Sequence, residues 1–226
     1  DSSSTLLRGR PGRNASPRQV RPGGRASWRQ RPRRSRRSRT ATPAAPTSTP
    51  PAAPAAQDLL AKIEGSARPD ETIIYSAHWD HVGVNDHAGG DDKIFNGAWD
   101  NASGTVGVVE MARQLKAAPA PDRTIVFAHM AAEEMGLLGA YAYAADPVYP
   151  LETTVADINI DMLPLSGPTK DVPIFGKGQN SLEDDLQALA AKEGRYVSDD
   201  GQPEQGFYYR SDHFPFARAG VPALMP

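Results

Sequence analysis

The chain has 226 residues, of which 25 are basic and 27 acidic, and it contains no cysteine. The lack of thiols excludes a disulfide framework and any thiolate metal site, so a bound metal would have to rest on histidine and carboxylates. No apolar run approaches the roughly 20 residues a membrane-spanning helix needs.

The near-neutral balance conceals two unlike parts. Residues 1–56 carry thirteen arginines against a single acid, Asp1, for a net charge of +12, which leaves −14 on the remainder. The arginine-rich stretch passes into TATPAAPTSTPPAAPAA, with no apolar periodicity to bury. This reads as a disordered Arg/Pro/Ala-rich segment, either a linker or a stretch in a non-native reading frame. A tail that binds nucleic acid by counterion release is the rival reading. The acidic remainder would repel phosphate, so no nucleic-acid partner is expected for the folded part. From Gln57 onward, 170 residues remain, enough for one compact domain.

In that domain ETIIYSAH (71–78) is a short β-branched and aromatic run and predicts a buried strand. NASGTVGVVEMARQLKAA (101–118) predicts a helix behind a possible cap at Ser103, with Asn101 at the helix entry also read as capping, and with Val106, Val109, Ala112 and Leu115 as its apolar positions. RTIVFAHM (123–130) predicts a second strand and 135–145 a second helix. TVADINID (154–161) predicts a third strand ending on Asp161. DVPIFG and VPALMP are shorter strand candidates on either side of a helix over 181–192, which has acids in its first turn. Strands alternating with helices point to an α/β three-layer sandwich around a mixed, largely parallel central sheet.

Chemistry-bearing side chains cluster at the strand ends. His78 closes the first strand, with Asp80 two residues on. Glu133 and Glu134 follow the second strand, and Asp161 ends the third. In open α/β sheets binding sites form outside the carboxyl ends of the strands, so these groups are expected to converge. Asp100, in the loop entering the first helix, reaches the same rim, and His213 lies late in the chain. Two imidazoles and three carboxylates suit zinc, and five ligands exceed what one tetrahedral ion takes. A pair of ions sharing one carboxylate resolves this, and such a pair acidifies water and polarises a carbonyl. His81 and His87 read as loop surface or, at most, as neighbours of the ligands, and His129 as a core or sheet-edge residue. Tyr208, Tyr209 and Arg210 either reach a substrate or pack within their loop.

HWD, GAWDNASG, AAEEMG, NIDM and SDHFPF, in this order, resemble the motif set of the M28 metallopeptidases, which include bacterial leucyl-type aminopeptidases. The resemblance covers residues 57–226. It implies a zinc-dependent exopeptidase fold and two zinc ions: His78 and Asp161 on one, Glu134 and His213 on the other, and Asp100 between them. It further implies Glu133 as general base, Asp80 as the carboxylate that orients His78, a peptide substrate, and a secreted or periplasmic protein. Related domains continue beyond the position of Pro226, so a missing C-terminal part is expected. Two alternatives share the fold: a catalytically silent binding or scaffold domain, and an acyltransferase of the glutaminyl cyclase type.

Overall fold

The computed structural model describes residues 57–165 and 167–226; the segment read as disordered, residues 1–56, lies outside the described residues. In chain order the elements are strands β1 (Leu59–Ile63), β2 (Arg68–His78), β3 (Gly83–Val84) and β4 (Ile94–Phe95), helix α1 (Ala102–Ala117), strand β5 (Arg123–Met130), helix α2 (Leu138–Ala145), strands β6 (Thr154–Asn159) and β7 (Asp171–Ile174), helix α3 (Leu182–Lys192), strand β8 (Tyr196–Asp199), helix α4 (His213–Arg218) and strand β9 (Ala223–Leu224). Five strands form one sheet in the order β1-β5-β2-β6-β9. β2, β5, β6 and β9 run parallel, and β1 pairs antiparallel with β5 on the edge. This is the mixed, largely parallel sheet expected from the alternation of strands and helices.

The side chains of β2 and β5 divide by parity, as a pleat requires. Ala77, Ile125 and Phe127 pack with Val108 of α1 on one face. Ile74, Val126, Ala128 and Met130 pack with Ala140 and Tyr143 of α2 and Phe216 of α4 on the other. Both faces are covered, which is why these strands read as continuous apolar runs instead of alternating ones. None of the described helices is long and apolar enough to cross a membrane.

Four local expectations need correction. Val106 and Val109 are 64% and 54% exposed, and α1 buries Gly104 and Val108 instead. The helix is rotated because Gly104 meets backbone: a Cβ there would lie 2.3 Å from both Asn101 Oδ1 and the Ile160 carbonyl. Of the two capping candidates Asn101, as its place at the helix entry suggests, and not Ser103 caps the helix, accepting the Gly104 N–H at 2.9 Å. The second helix begins at Leu138, because Ala132 and Leu137 adopt left-handed backbone and shape residues 131–137 into turns. β6 stops at Asn159, so Asp161 stands two residues past the strand instead of on its last position.

A polar chain crosses the α4 face of the sheet. The Ser76 hydroxyl contacts Asp157 Oδ1 at 2.8 Å and Asn159 Oδ1 at 3.1 Å, and Asn159 Nδ2 donates to Ser211 Oγ at 2.6 Å. Asp157 is fully buried and its second oxygen has no partner. Burial, opposed by the Ser76 hydrogen bond, raises its carboxyl to about 8.

Two predictions follow from this packing. Val108→Ala is expected to destabilise the fold by about 1–3 kcal/mol while Val106→Ala changes it by less than about 0.5 kcal/mol, measured by urea unfolding; similar losses would contradict the assigned helix face. An unfolded aspartate releases its proton near pH ~3.9, whereas folded Asp157 keeps it to about pH 8. Between those values the folded state binds more protons, so this group makes stability fall as pH rises, by at most ~1.4 kcal/mol per unit. Asp157→Asn, compared with wild type by thermal unfolding, should therefore be relatively more stable at pH 8 than at pH 5; an equal difference at both pH values would contradict the buried neutral carboxyl.

Candidate metal centre

The parallel strands deliver His78, Asp161 and the Glu133–Glu134 pair to one end of the sheet, and the loop before α1 brings Asp100 to them. His78 is buried at the end of β2. Its Nδ1 donates to the Asp80 backbone carbonyl at 3.1 Å, which aims Nε2 at Asp100 Oδ1, 3.2 Å away, and at Asp161 Oδ1, 3.3 Å away. Burial, the largest influence, disfavours a charged ring. The Asp161 hydrogen bond and the charges of Asp161, Glu133 and Asp212 outweigh it and raise the imidazole to about 10. An imidazole proton thus sits between two carboxylates, the position a divalent cation would take with gain.

Asp80 acts differently from the expectation. Its carboxylate is 3.8 Å from His78 Nδ1, too far for a hydrogen bond, and only its carbonyl orients the ring. The carboxylate instead accepts the backbone N–H of Glu133 at 3.0 Å and of Glu134 at 3.2 Å. Asp80 therefore fixes the turn carrying both glutamates. Left-handed Ala132 immediately precedes that pair, and left-handed Met162 immediately follows Asp161, so two site carboxylates sit beside strained backbone.

Asp100 is positioned through its neighbour. Asn101 Nδ2 donates to the Ile160 carbonyl at 3.0 Å, and Asn101 Oδ1 accepts the Met162 N–H at 3.2 Å. Trp99 Nε1 donates to the Leu163 carbonyl at 2.9 Å, and Thr105 Oγ1 to the His78 carbonyl at 2.8 Å. These bonds tie the entry of α1 to the segments bearing Asp161 and His78. Asp161 is anchored from beneath, its Oδ2 accepting from Ser211 Oγ at 2.7 Å. Ser211 and Asn159 carry no motif that reveals this role; only the parallel register of β2 and β6, pairing Ser76 with Asn159, sets up their alignment.

Among the described residues, two groups bring ligand atoms within 4.8 Å of one another: His78, Asp100 and Asp161, and His81, Asp100 and Glu134. Asp100 belongs to both. The first group is the one expected for one ion. The second contains Glu134 but not His213: His81 takes its place, with Nδ1 2.6 Å from Glu134 Oε1. His213 lies fully buried at the start of α4, its ring 5.1 Å edge-on to Tyr208, and neither nitrogen has a hydrogen-bond partner. Burial lowers its imidazole to about 4, so it is neutral there. The ring lies close enough to Asp161 for that carboxylate's charge to act on it and oppose the lowering. The imidazole nitrogens and carboxylate oxygens of both groups form a donor set that fits zinc.

Glu133 belongs to neither group and is 9% exposed. Burial raises its carboxyl to about 7; the charge of His78 opposes the rise, and those of Asp161, Glu134 and Asp100 add to it. Tyr208 and Tyr209 stack edge-on with each other and with Phe214, Tyr209 remains exposed, and His129 sits in β5 opposite Leu59 of the edge strand.

The family model for Peptidase family M28 matches residues 58–226. The chain is 32% identical over 167 residues to the aminopeptidase YwaD of Bacillus subtilis, covering 72% of this chain and 33% of that protein. It is 33% identical over 120 residues to the mouse aminopeptidase NAALADL1, covering 50% of this chain and 14% of that one. Its structure resembles that of BSAP, a zinc aminopeptidase from Bacillus subtilis, with a TM-score of 0.58, 26% identity and coverage of 74% and 39% of the two chains. A glutaminyl cyclase from Porphyromonas gingivalis shares the fold, with a TM-score of 0.59 at 24% identity, over 75% of this chain and 62% of that one. The chain thus spans a third or less of the two relatives' lengths. With the motifs in order and the family model matched over three-quarters of this chain, the chain belongs to peptidase family M28.

Proposed function

We propose that residues 57–226 form the catalytic core of a zinc-dependent aminopeptidase that holds two zinc ions and cleaves a terminal peptide bond. The observation that supports this most is the membership of Asp100 in two adjacent ligand groups: a carboxylate with two oxygens can serve two cations at once. His78 and Asp161 would hold one ion and Glu134 and His213 the other, with Asp100 between them. Zinc, when bound, supplies Lewis acidity that polarises a peptide carbonyl and lowers the pKa of water.

The chain's own residues do the rest. Glu133 is free of both ligand groups yet adjacent to them, so its carboxylate can take a proton from the attacking water and return it to the departing amine. Asp80 keeps that carboxylate in place by holding the two backbone N–H groups of the pair. Ser211 and the Asp80 carbonyl fix Asp161 and His78 from behind, the hydrogen bonding that metal ligands require for orientation. The peptide would lie over the open end of the sheet, and export to a secreted or periplasmic location is proposed on the family resemblance.

Chelation followed by zinc add-back is expected to abolish and then restore cleavage of aminoacyl anilides. Glu133→Gln should lower kcat by at least about 100-fold, the usual worth of a general base, while leaving bound zinc unchanged. Hydrolysis indifferent to chelators would contradict the proposal. Zinc binding without hydrolysis of anilides would favour the silent scaffold, and release of ammonia from an N-terminal glutamine the cyclase alternative.

A further inference from the structure

The turn that follows β5 and carries Glu133 is held from two sides, and Asp80 supplies one of the two holds through the backbone N–H groups of Glu133 and Glu134. The other is Asp58, immediately before the edge strand β1, whose Oδ1 accepts the Ala131 N–H at 2.9 Å. The antiparallel register pairs Leu59 with His129, so Asp58 stands level with the last residue of β5 and its side chain reaches the first residue beyond it. Burial raises its carboxyl above the ordinary carboxylate range, and the Ala131 hydrogen bond opposes that rise.

A glycine makes room for this contact. A Cβ on Gly139, in the first turn of α2, would fall 2.4 Å from Asp58 Oδ1, 2.5 Å from the Ala131 carbonyl oxygen and 2.8 Å from the Ala131 nitrogen. Only a residue without a side chain lets α2 come this close. The Gly139 N–H in turn donates to the Ala131 carbonyl at 2.9 Å, so both backbone polar groups of Ala131 are gripped. Next comes Ala132 with φ 56°, and then Glu133. A residue with a side chain persists in that conformation only where its surroundings over-determine it. Here the amides on either side of it, those of Ala131 and Glu133, are each held by an aspartate. Releasing the first would let Ala132 relax and would carry the Glu133 carboxylate with it.

We propose that Asp58 is a positioning residue for the general base: together with Gly139 it holds Ala131, fixes left-handed Ala132 and so sets the direction in which Glu133 leaves the turn. The inference rests on Glu133 as the proton acceptor and goes beyond that reading by giving the edge strand a part in catalysis. Misplacing a reacting group by about 1 Å costs on the order of 100-fold in rate.

The test uses the full chain loaded with zinc, and aminoacyl anilides as substrates. Asp58→Ala and Asp58→Leu, which cannot accept the Ala131 N–H, should lower kcat by roughly 10- to 100-fold, with KM changed by less than about threefold and zinc content equal to wild type. Asp58→Asn, whose carboxamide oxygen still accepts that N–H, should stay within about threefold of the wild-type kcat. Val108→Ala, which loosens the core against the same sheet, should keep its kcat. Hydrogen exchange read by mass spectrometry should be faster over residues 131–137 in Asp58→Ala than in wild type. Wild-type kcat and exchange in both Asp58→Ala and Asp58→Leu would overturn the proposal and leave Glu133 standing as general base. Equal losses in Asp58→Asn and Asp58→Ala, or failure of every Asp58 variant to fold, would reduce Asp58 to a structural role and overturn it as well. Full activity in Glu133→Gln would overturn the general-base reading and this inference with it.

Discussion

Four carboxylates, Asp100, Glu133, Glu134 and Asp161, converge around two imidazoles at the end of the sheet, and keeping them together against their mutual repulsion is the constraint that organises this structure. In the partly buried setting of the site, like charges at such separations cost far more than in water. The strain is visible in the protonation preferences: Glu133 is pushed upward, and His78 is held as a cation against the effect of its burial. A divalent cation relieves both. The protein meets the remaining cost with directed hydrogen bonds: Asp80 to the amides of the glutamate pair, Asn101 to the segment around Asp161, and Ser211 to Asp161 itself.

These bonds explain why the fold and the site cannot be separated. The polar chain from Asp157 through Ser76, Asn159 and Ser211 ends on Asp161, so a line of buried polar groups in the sheet terminates at a proposed ligand. Buried networks of this kind specify one arrangement because every alternative leaves a partner unpaired. Gly104 and Gly97 contribute at the other side, each permitting a close approach that brings the Asp100 loop down onto the site. Local backbone and metal chemistry are thus coupled through a small number of contacts.

Much of this was legible in the sequence. β2 and β5 announce themselves because strands covered on both faces must be apolar at every position, and β5 runs over the very residues of its predicted run. The gathering of His78, Glu133, Glu134 and Asp161 at one end of the sheet follows from topology alone. The edge strand β1 was not visible, since LLAKI is half exposed and carries a lysine. The face of α1 was misjudged because Val106 and Val109 look like core, whereas the packing is dictated by Gly104, a residue with no side chain to signal it. Asp80 was read by analogy as orienting His78 through its carboxylate; the backbone carbonyl does that, freeing the carboxylate for the glutamate turn. His213 carries a motif likeness and no strand-end position, and its buried ring lies outside both groups of ligand atoms. His81 carries no strand-end position, and the structure alone places it beside Glu134.

The central claim is that one carboxylate, Asp100, joins two metal sites into a single centre. X-ray absorption on the zinc-loaded chain measures this most directly. Only nitrogen and oxygen atoms are expected as zinc neighbours, together with a metal–metal vector of about 3.5–4 Å. A chain loaded with two zinc ions per molecule that shows no metal–metal scattering in that range would contradict it.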